Sequence, residues 1–182
     1  AQITRDNTAD RLLIANMVLE AGSIASQAAF QNMAFLVSVK AFERKLRPFF
    51  ATFRKTPDGM YGHSLTDNAG VLRLHQLFKL EPGNYLELTS SGSQRLEQAN
   101  LLADYAKADL KPIIADVVGA FKQASDWREI AAEAVKASEN LPVKNKVYFP
   151  RDELISLPGL LDERSEEEVN AIDVAIFGNL ES

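Results

Sequence analysis

Apolar residues recur at helical spacing over most of this chain. Leu13 and Met17 share one face of a segment, and Ile14 and Val18 share the next. This spacing predicts a helix over 9–20, with Thr8 as its N-cap and Ala21-Gly22 as its stop. The strongest helix is predicted over 27–44. There Phe30, Met33, Ala34, Val37 and Ala41 make one stripe, and Phe35, Val39 and Phe42 make a second beside it. A helix apolar over so much of its circumference is expected at the centre of the molecule. Pro48 ends it. Phe49 to Lys55 reads as a short strand, and Thr56-Pro57-Asp58-Gly59 as a turn. Ser64 then caps a helix predicted to run to about Phe78.

Downstream the pattern changes character. Lys79 to Glu81 and Tyr85 to Leu88 are short runs around Pro82-Gly83-Asn84, the signature of a small hairpin. Thr89 caps a helix over 91–107. Pro112 requires a new helix to start near Asp109, with Ile113, Ile114, Val117, Val118 and Phe121 on its apolar face. Asp126 and Glu129 open another, to about Glu139. Pro142, Pro150 and Pro158 break up the next stretch, in which Lys146 to Phe149 reads as extended. Ser165-Glu166-Glu167-Glu168 is a capping box that opens a last helix with Val169, Ile172 and Ile176 on one face. The expected class is mainly α, with some β. Its layout is a winged helix-turn-helix with a small hairpin wing over residues 1–107, followed by a helical extension over 108–182.

Charge sharpens this picture. The 182 residues carry 20 basic and 25 acidic side chains, a formal net charge of −5. They are unevenly placed. Residues 40–79 hold eight basic and three acidic groups, net +5, whereas residues 151–182 hold two basic and nine acidic, net −7. Such asymmetry suggests an anion-binding middle and an acidic segment able to dock on it or on a basic partner.

Candidate chemistry is sparse. The absence of cysteine excludes disulfides, thiolate metal sites and a cysteine nucleophile. No phosphate loop, dinucleotide fingerprint, Gly-x-Ser-x-Gly or His-Glu-x-x-His motif occurs. His63 reads as a turn residue, His75 as a helix residue, and Trp127 as a core or interface anchor. A non-enzymatic protein without cofactor or metal is expected. The opening residues lack a signal-peptide pattern and no apolar run reaches a membrane span, so a cytoplasmic location is expected.

Several segments between residues 20 and 95 carry a family pattern. They are Ala21-Gly22, Ala29-Phe30-Gln31-Asn32-Met33-Ala34-Phe35-Leu36, Phe53, Tyr61-Gly62-His63-Ser64 and Leu86-Glu87-Leu88-Thr89 with Gly92. The segment resembles the winged-helix family that includes the Panacea-type antitoxin domains, with His63 where that family usually has Pro. The resemblance implies regulation: DNA binding as a repressor, neutralisation of a toxin, or service as an interaction module. On the DNA reading the third helix enters the major groove. Arg54, Lys55, Arg73 and Lys79 would then contact phosphates, and Thr66, Asn68 and Gln76 would read bases. Double-stranded DNA, a protein partner for the acidic end, and a second copy of the chain are the expected partners. The apolar faces at Ile113–Phe121 and Ala131–Val135 are open to two fates, receiving the second copy or packing back on the first domain.

Overall fold

The computed structural model describes residues 2–80, 85–122, 124 and 126–178. The fold is mainly helical with one small antiparallel sheet. Helix α1 spans Gln2–Ala21 and α2 spans Gln27–Glu43; strands β1 (Arg54–Thr56) and β2 (Gly59–Tyr61) form a hairpin. Then come α3 (His63–Leu74), α4 (Ser90–Ala103), α5 (Leu110–Phe121), α6 (Trp127–Ser138), α7 (Arg151–Leu154) and α8 (Glu166–Phe177).

Helix α2 is the axis of the molecule, as its double stripe predicts. Phe30, Ala34, Phe35, Val37 and Ala41 are fully buried. Ser26 caps its start by accepting from Ala29 N–H. It packs against β2, α5 and α6. Phe35 meets Phe53 and Tyr148 edge to face, at ring separations of 5.2 and 5.7 Å. These aromatic contacts fill the space between α2, the hairpin and the stretch after α6.

Helix α1 begins seven residues before the expected start. Its first turn is held by contacts distant in sequence: Arg5 donates to the Arg164 carbonyl. Thr8, expected as an N-cap, is instead a fully buried helical residue that donates to Asp173. Helix α3 is shorter than expected and is capped at Gly62, not by the Ser64 side chain. It stops where Gln76 takes a left-handed φ of 61°, which turns Leu77 and Phe78 into the core. Helix α4 ends early for the same reason, with Asp104 at φ 52°.

The strand expected over 49–55 forms only at its end, since Phe53 pairs with Tyr148 and regular pairing starts at Arg54. The Pro82-Gly83-Asn84 turn lies outside the described residues. The chain on either side of it does pair: Phe78 bridges Leu88, Lys79 N–H donates to the Glu87 carbonyl, and Leu86 bridges Ile24.

The boundary expected at residue 107 crosses the core. One cluster of buried side chains runs from Ala9 to Ile176 and includes residues on both sides of it. Ile113, Ile114, Val117 and Val118 of α5 are buried, and this helix packs on α1 and α2. In α6, Ala131 and Ala134 are buried, and this helix packs on α2 and β2. Of the two fates open to these faces, packing back on the chain itself is the one seen.

Candidate interaction surface

The residues of the family-like pattern are architectural. Gln31, 1% exposed, accepts from Gly62 N–H and donates to the Gly62 carbonyl, at 2.8 and 3.0 Å. Its amide also donates to the Thr66 hydroxyl. Asn32 accepts from Met60 N–H and donates to the Asp58 carbonyl. Gly59 sits at φ 101°, and a Cβ there would collide with the Asn32 side chain. Two adjacent amides of α2 thus grip the turn and fix the entry into α3, giving acceptors to the buried N–H groups of Met60 and Gly62.

This anchoring decides which side of α3 faces outward. Leu65, Asn68, Ala69 and Leu72 point inward. His63, Asp67, Gly70 and Leu74 are exposed, and Leu74 is 79% exposed. The outward face therefore carries one acid, one imidazole, a glycine and a large apolar side chain. Tyr61 Oη lies 3.3 Å from His63 Nδ1, and His63 Nε2 lies 3.5 Å from Asp67. This chain of contacts lies on the open surface.

The seven candidate DNA contacts do not converge on that face. Arg54 and Lys55 are exposed on β1. Thr66 Oγ1 already accepts from both Gln27 and Gln31. Asn68 is 4% exposed and accepts from Arg11 at 3.0 Å, which withdraws it from base reading. Arg73 stacks over Tyr85, with its guanidinium carbon 5.5 Å from the ring centroid. Lys79 pairs with Glu87 at 2.9 Å. Gln76 is exposed beyond the end of α3, where it lines a groove.

One cation of the basic middle turns inward. Arg47 is 5% exposed and pairs with Asp6 at 3.3 Å and Asp162 at 2.8 Å. It also donates to the Leu157 carbonyl, and Gly159 lies so close that a Cβ would strike its guanidinium. Asp10 completes the cluster. Burial pushes its carboxyl up to about 8, an effect that Asp6 reinforces and the hydrogen bond from Phe50 N–H opposes.

The acidic end is built into the fold. Val169, Ile172, Ala175 and Ile176 of α8 are buried, and α8 packs on α1 and α4. Asp173 pairs with Arg11, Glu168 pairs with Arg164, and Glu168 completes the expected capping box with Ser165. The α4 and α8 surfaces leave an open groove between them, whose outer walls include Gln98, Leu102, Asn170, Ala171 and Val174. The charge count singled out this end, but the groove was hidden from the sequence. The single signal was an exposed-position Val174 in an otherwise amphipathic helix.

Among the described residues, no group of three or more His, Asp or Glu is placed to hold a metal ion, and no helix is long and apolar enough to cross a membrane. No protein-family model matches the chain, and neither a curated protein nor a solved structure matches it.

Proposed function

We propose that this chain is a winged-helix-type protein-interaction module that does not use α3 to read DNA. The layout supports the winged-helix part. Ile24 lies between α1 and α2, and Phe78 follows α3. Both bridge to the 86–88 segment, which gives the order helix, bridge, helix, hairpin, helix, bridge, bridge: a winged-helix order with the β1–β2 hairpin inserted before its third helix. Two of the three roles that the antitoxin-like resemblance implies, toxin neutralisation and service as an interaction module, fit the same reading.

One observation carries the choice of protein over DNA: the outward face of α3 presents His63, Asp67, Gly70 and Leu74. A helix bound in a major groove lies among phosphates, where Asp67 is repelled and Leu74 gains nothing from water exclusion. An exposed leucine next to neutral and acidic positions suits a protein partner. Arg73 and Lys79, the cations closest along the chain, are committed to Tyr85 and Glu87.

Fluorescence polarisation of a labelled mixed-sequence duplex tests this at low salt. The expected result is no saturable binding up to about 10 μM protein, weaker than ordinary nonspecific DNA binders. Binding with a salt slope near −0.9 per phosphate, lost on replacing Arg54 and Lys55 by Ala, would restore the DNA reading through the hairpin.

A further inference from the structure

The exposed cations of β1 have company from a distant part of the chain. Phe53 and Tyr148 exchange both backbone hydrogen bonds in antiparallel register. One residue further out Arg54 stands beside Val147, and the next step brings Lys55 to Lys146, on neighbouring segments spaced about 5 Å. Lys144 pairs with Val147 to close a two-residue turn, so it sits at the same end. Residues 54–58 and 144–152 together hold five basic and two acidic side chains, net +3, in a chain whose net charge is −5.

Three of these cations are kept free. Arg54, Lys55 and Lys146 are exposed and make no ion pair among the described residues, whereas Lys144 pairs with Asp152 and Arg151 stacks on Phe50. Lys146 is held out against the preference of its own backbone. It and Asn145 take left-handed φ, 62° and 56°, as the central residues of a type I′ turn do. Glycine suits the second of those positions, and a residue with a Cβ is disfavoured there. No contact of the Lys146 ammonium among the described residues accounts for a lysine at that place. The backbone is open as well. Phe53 turns its N–H and C=O toward Tyr148, and alternation along the strand turns those of Lys55 to the same edge. The chain bends away at Asn145 and Lys146, so the Lys55 groups have no backbone partner among the described residues.

We propose that this ledge binds an extended acidic segment of a partner protein, with carboxylates on Arg54, Lys55 and Lys146 and main-chain hydrogen bonds to the free edge at Lys55. Charge complementarity selects an anion. The open N–H and C=O select a peptide, because a strand added to an edge uses both groups, whereas a row of phosphates can only accept. Asp58 on the β1–β2 turn and Asp152 beside Lys144 interrupt the positive field. A flexible peptide can step around them, and a rigid duplex cannot. The ledge lies on the hairpin and the 144–148 segment, so it stands whatever α3 meets.

Fluorescence polarisation of a fluorescein-labelled octaglutamate peptide with the full chain tests the ledge at about 20 mM salt. The expected Kd lies between about 10 and 200 μM, despite the negative net charge of the protein. Raising salt to about 0.3 M is expected to weaken it at least about tenfold. Arg54→Ala combined with Lys55→Ala is expected to raise the Kd at least about tenfold, and Lys146→Gly about threefold. Lys146→Gly is also expected to keep or raise the Tm, because glycine relaxes the turn, so its lost affinity is not lost fold. Arg44→Ala, at the far end of α2 from the hairpin, is expected to leave the Kd within about twofold. Saturating peptide is expected to slow hydrogen exchange of the Lys55 amide, and unchanged exchange overturns the strand pairing. The proposal is overturned by absence of saturable binding up to about 500 μM protein. Binding that the Arg54 and Lys55 substitutions leave intact, or that Arg44→Ala weakens equally, overturns it too. So does a mixed-sequence duplex bound more tightly than the peptide through Arg54 and Lys55, since the ledge is then a nucleic-acid surface.

Discussion

The segments 40–79 and 151–178 are opposite in charge and alike in fate. The first is rich in cations and contains the nominal recognition helix; the second is acidic and forms α7 and α8. Both spend part of their charge inside the molecule, and they spend some of it on each other. Arg47 from the first pairs with Asp162 from the second. They differ in what is left outside. The basic segment leaves scattered cations, with Arg54 and Lys55 on a hairpin and Lys40, Arg44 and Lys45 at the end of α2. The acidic segment leaves Glu166 and Glu167 at one end of a helix and beside a groove. Local charge density along a chain reports how many charges exist; only packing decides which of them reach a partner.

Breaking the link between the two segments has the largest expected effect. Arg47→Met strands the buried carboxylate of Asp6 and the carbonyl of Leu157, and it leaves Asp162 without its cation. Loss of one partner from a buried ion cluster costs about 3–5 kcal/mol. Urea denaturation is expected to show a midpoint shift of that size. A shift under about 1 kcal/mol would mean that the segments do not depend on each other.

Loosening the turn that presents α3 comes next. Gln31→Leu leaves Gly62 N–H buried without its acceptor, at about 1–3 kcal/mol for an unsatisfied group, while the Gly62 carbonyl keeps its bond from Leu65 N–H. Thr66→Ala, which removes only a hydroxyl acceptor near the surface, is expected to cost under about 1 kcal/mol. If the two variants were equally stable, the grip of α2 on the turn would be unimportant.

The buried cluster also gives the protein a pH dependence of definite sign. Asp10 has a carboxyl raised from 3.8 to about 8, so the folded state prefers it protonated. Its contribution is fully favourable below the unfolded value and declines as pH rises from about 4 to about 8, at up to about 1.4 kcal/mol per pH unit. Asp10→Asn keeps the acceptor for Phe50 N–H and removes the titration. The variant is expected to flatten the curve of stability against pH and to exceed the wild type above pH 8. A wild type equally stable at pH 5 and pH 8, or a variant with the same slope, would contradict this.

The smallest effects belong to the exposed hairpin. Arg54→Ala and Lys55→Ala touch no buried partner and are expected to change stability by less than about 0.5 kcal/mol. A larger loss in thermal unfolding would show that these cations belong to the folded network and not to the free surface.

Features set by neighbours in sequence were legible in advance. The capping box at Ser165 and Glu168, the start of α2 at Gln27, and the helix break before Pro112 depend on a few adjacent residues. So does the Thr56 to Gly59 turn, and all lie where the pattern puts them. Features set by distant partners were not. Helix α1 reaches back to Gln2 because Arg5 finds a carbonyl 159 residues away. Arg47 looked like one more cation at a helix end, and only the fold brings Asp6 and Asp162 to it. Asn68 and Arg73 share a helix whose rotation is set by Gln31 and Asn32, so nothing local told which of them faces water. The α4–α8 groove joins residues some 70 positions apart, and Val174 at an exposed position of α8 was its single local signal.

Hydrogen exchange tests most directly whether the acidic end is part of the fold. The account predicts that amides of Ile172, Ala175 and Ile176 in α8 exchange with the same opening free energy as those of Phe35 and Val37 in α2, within about 1 kcal/mol, because all belong to one buried cluster. Exchange in α8 through a separate opening several kcal/mol easier than that of α2 would show a detachable segment and contradict it.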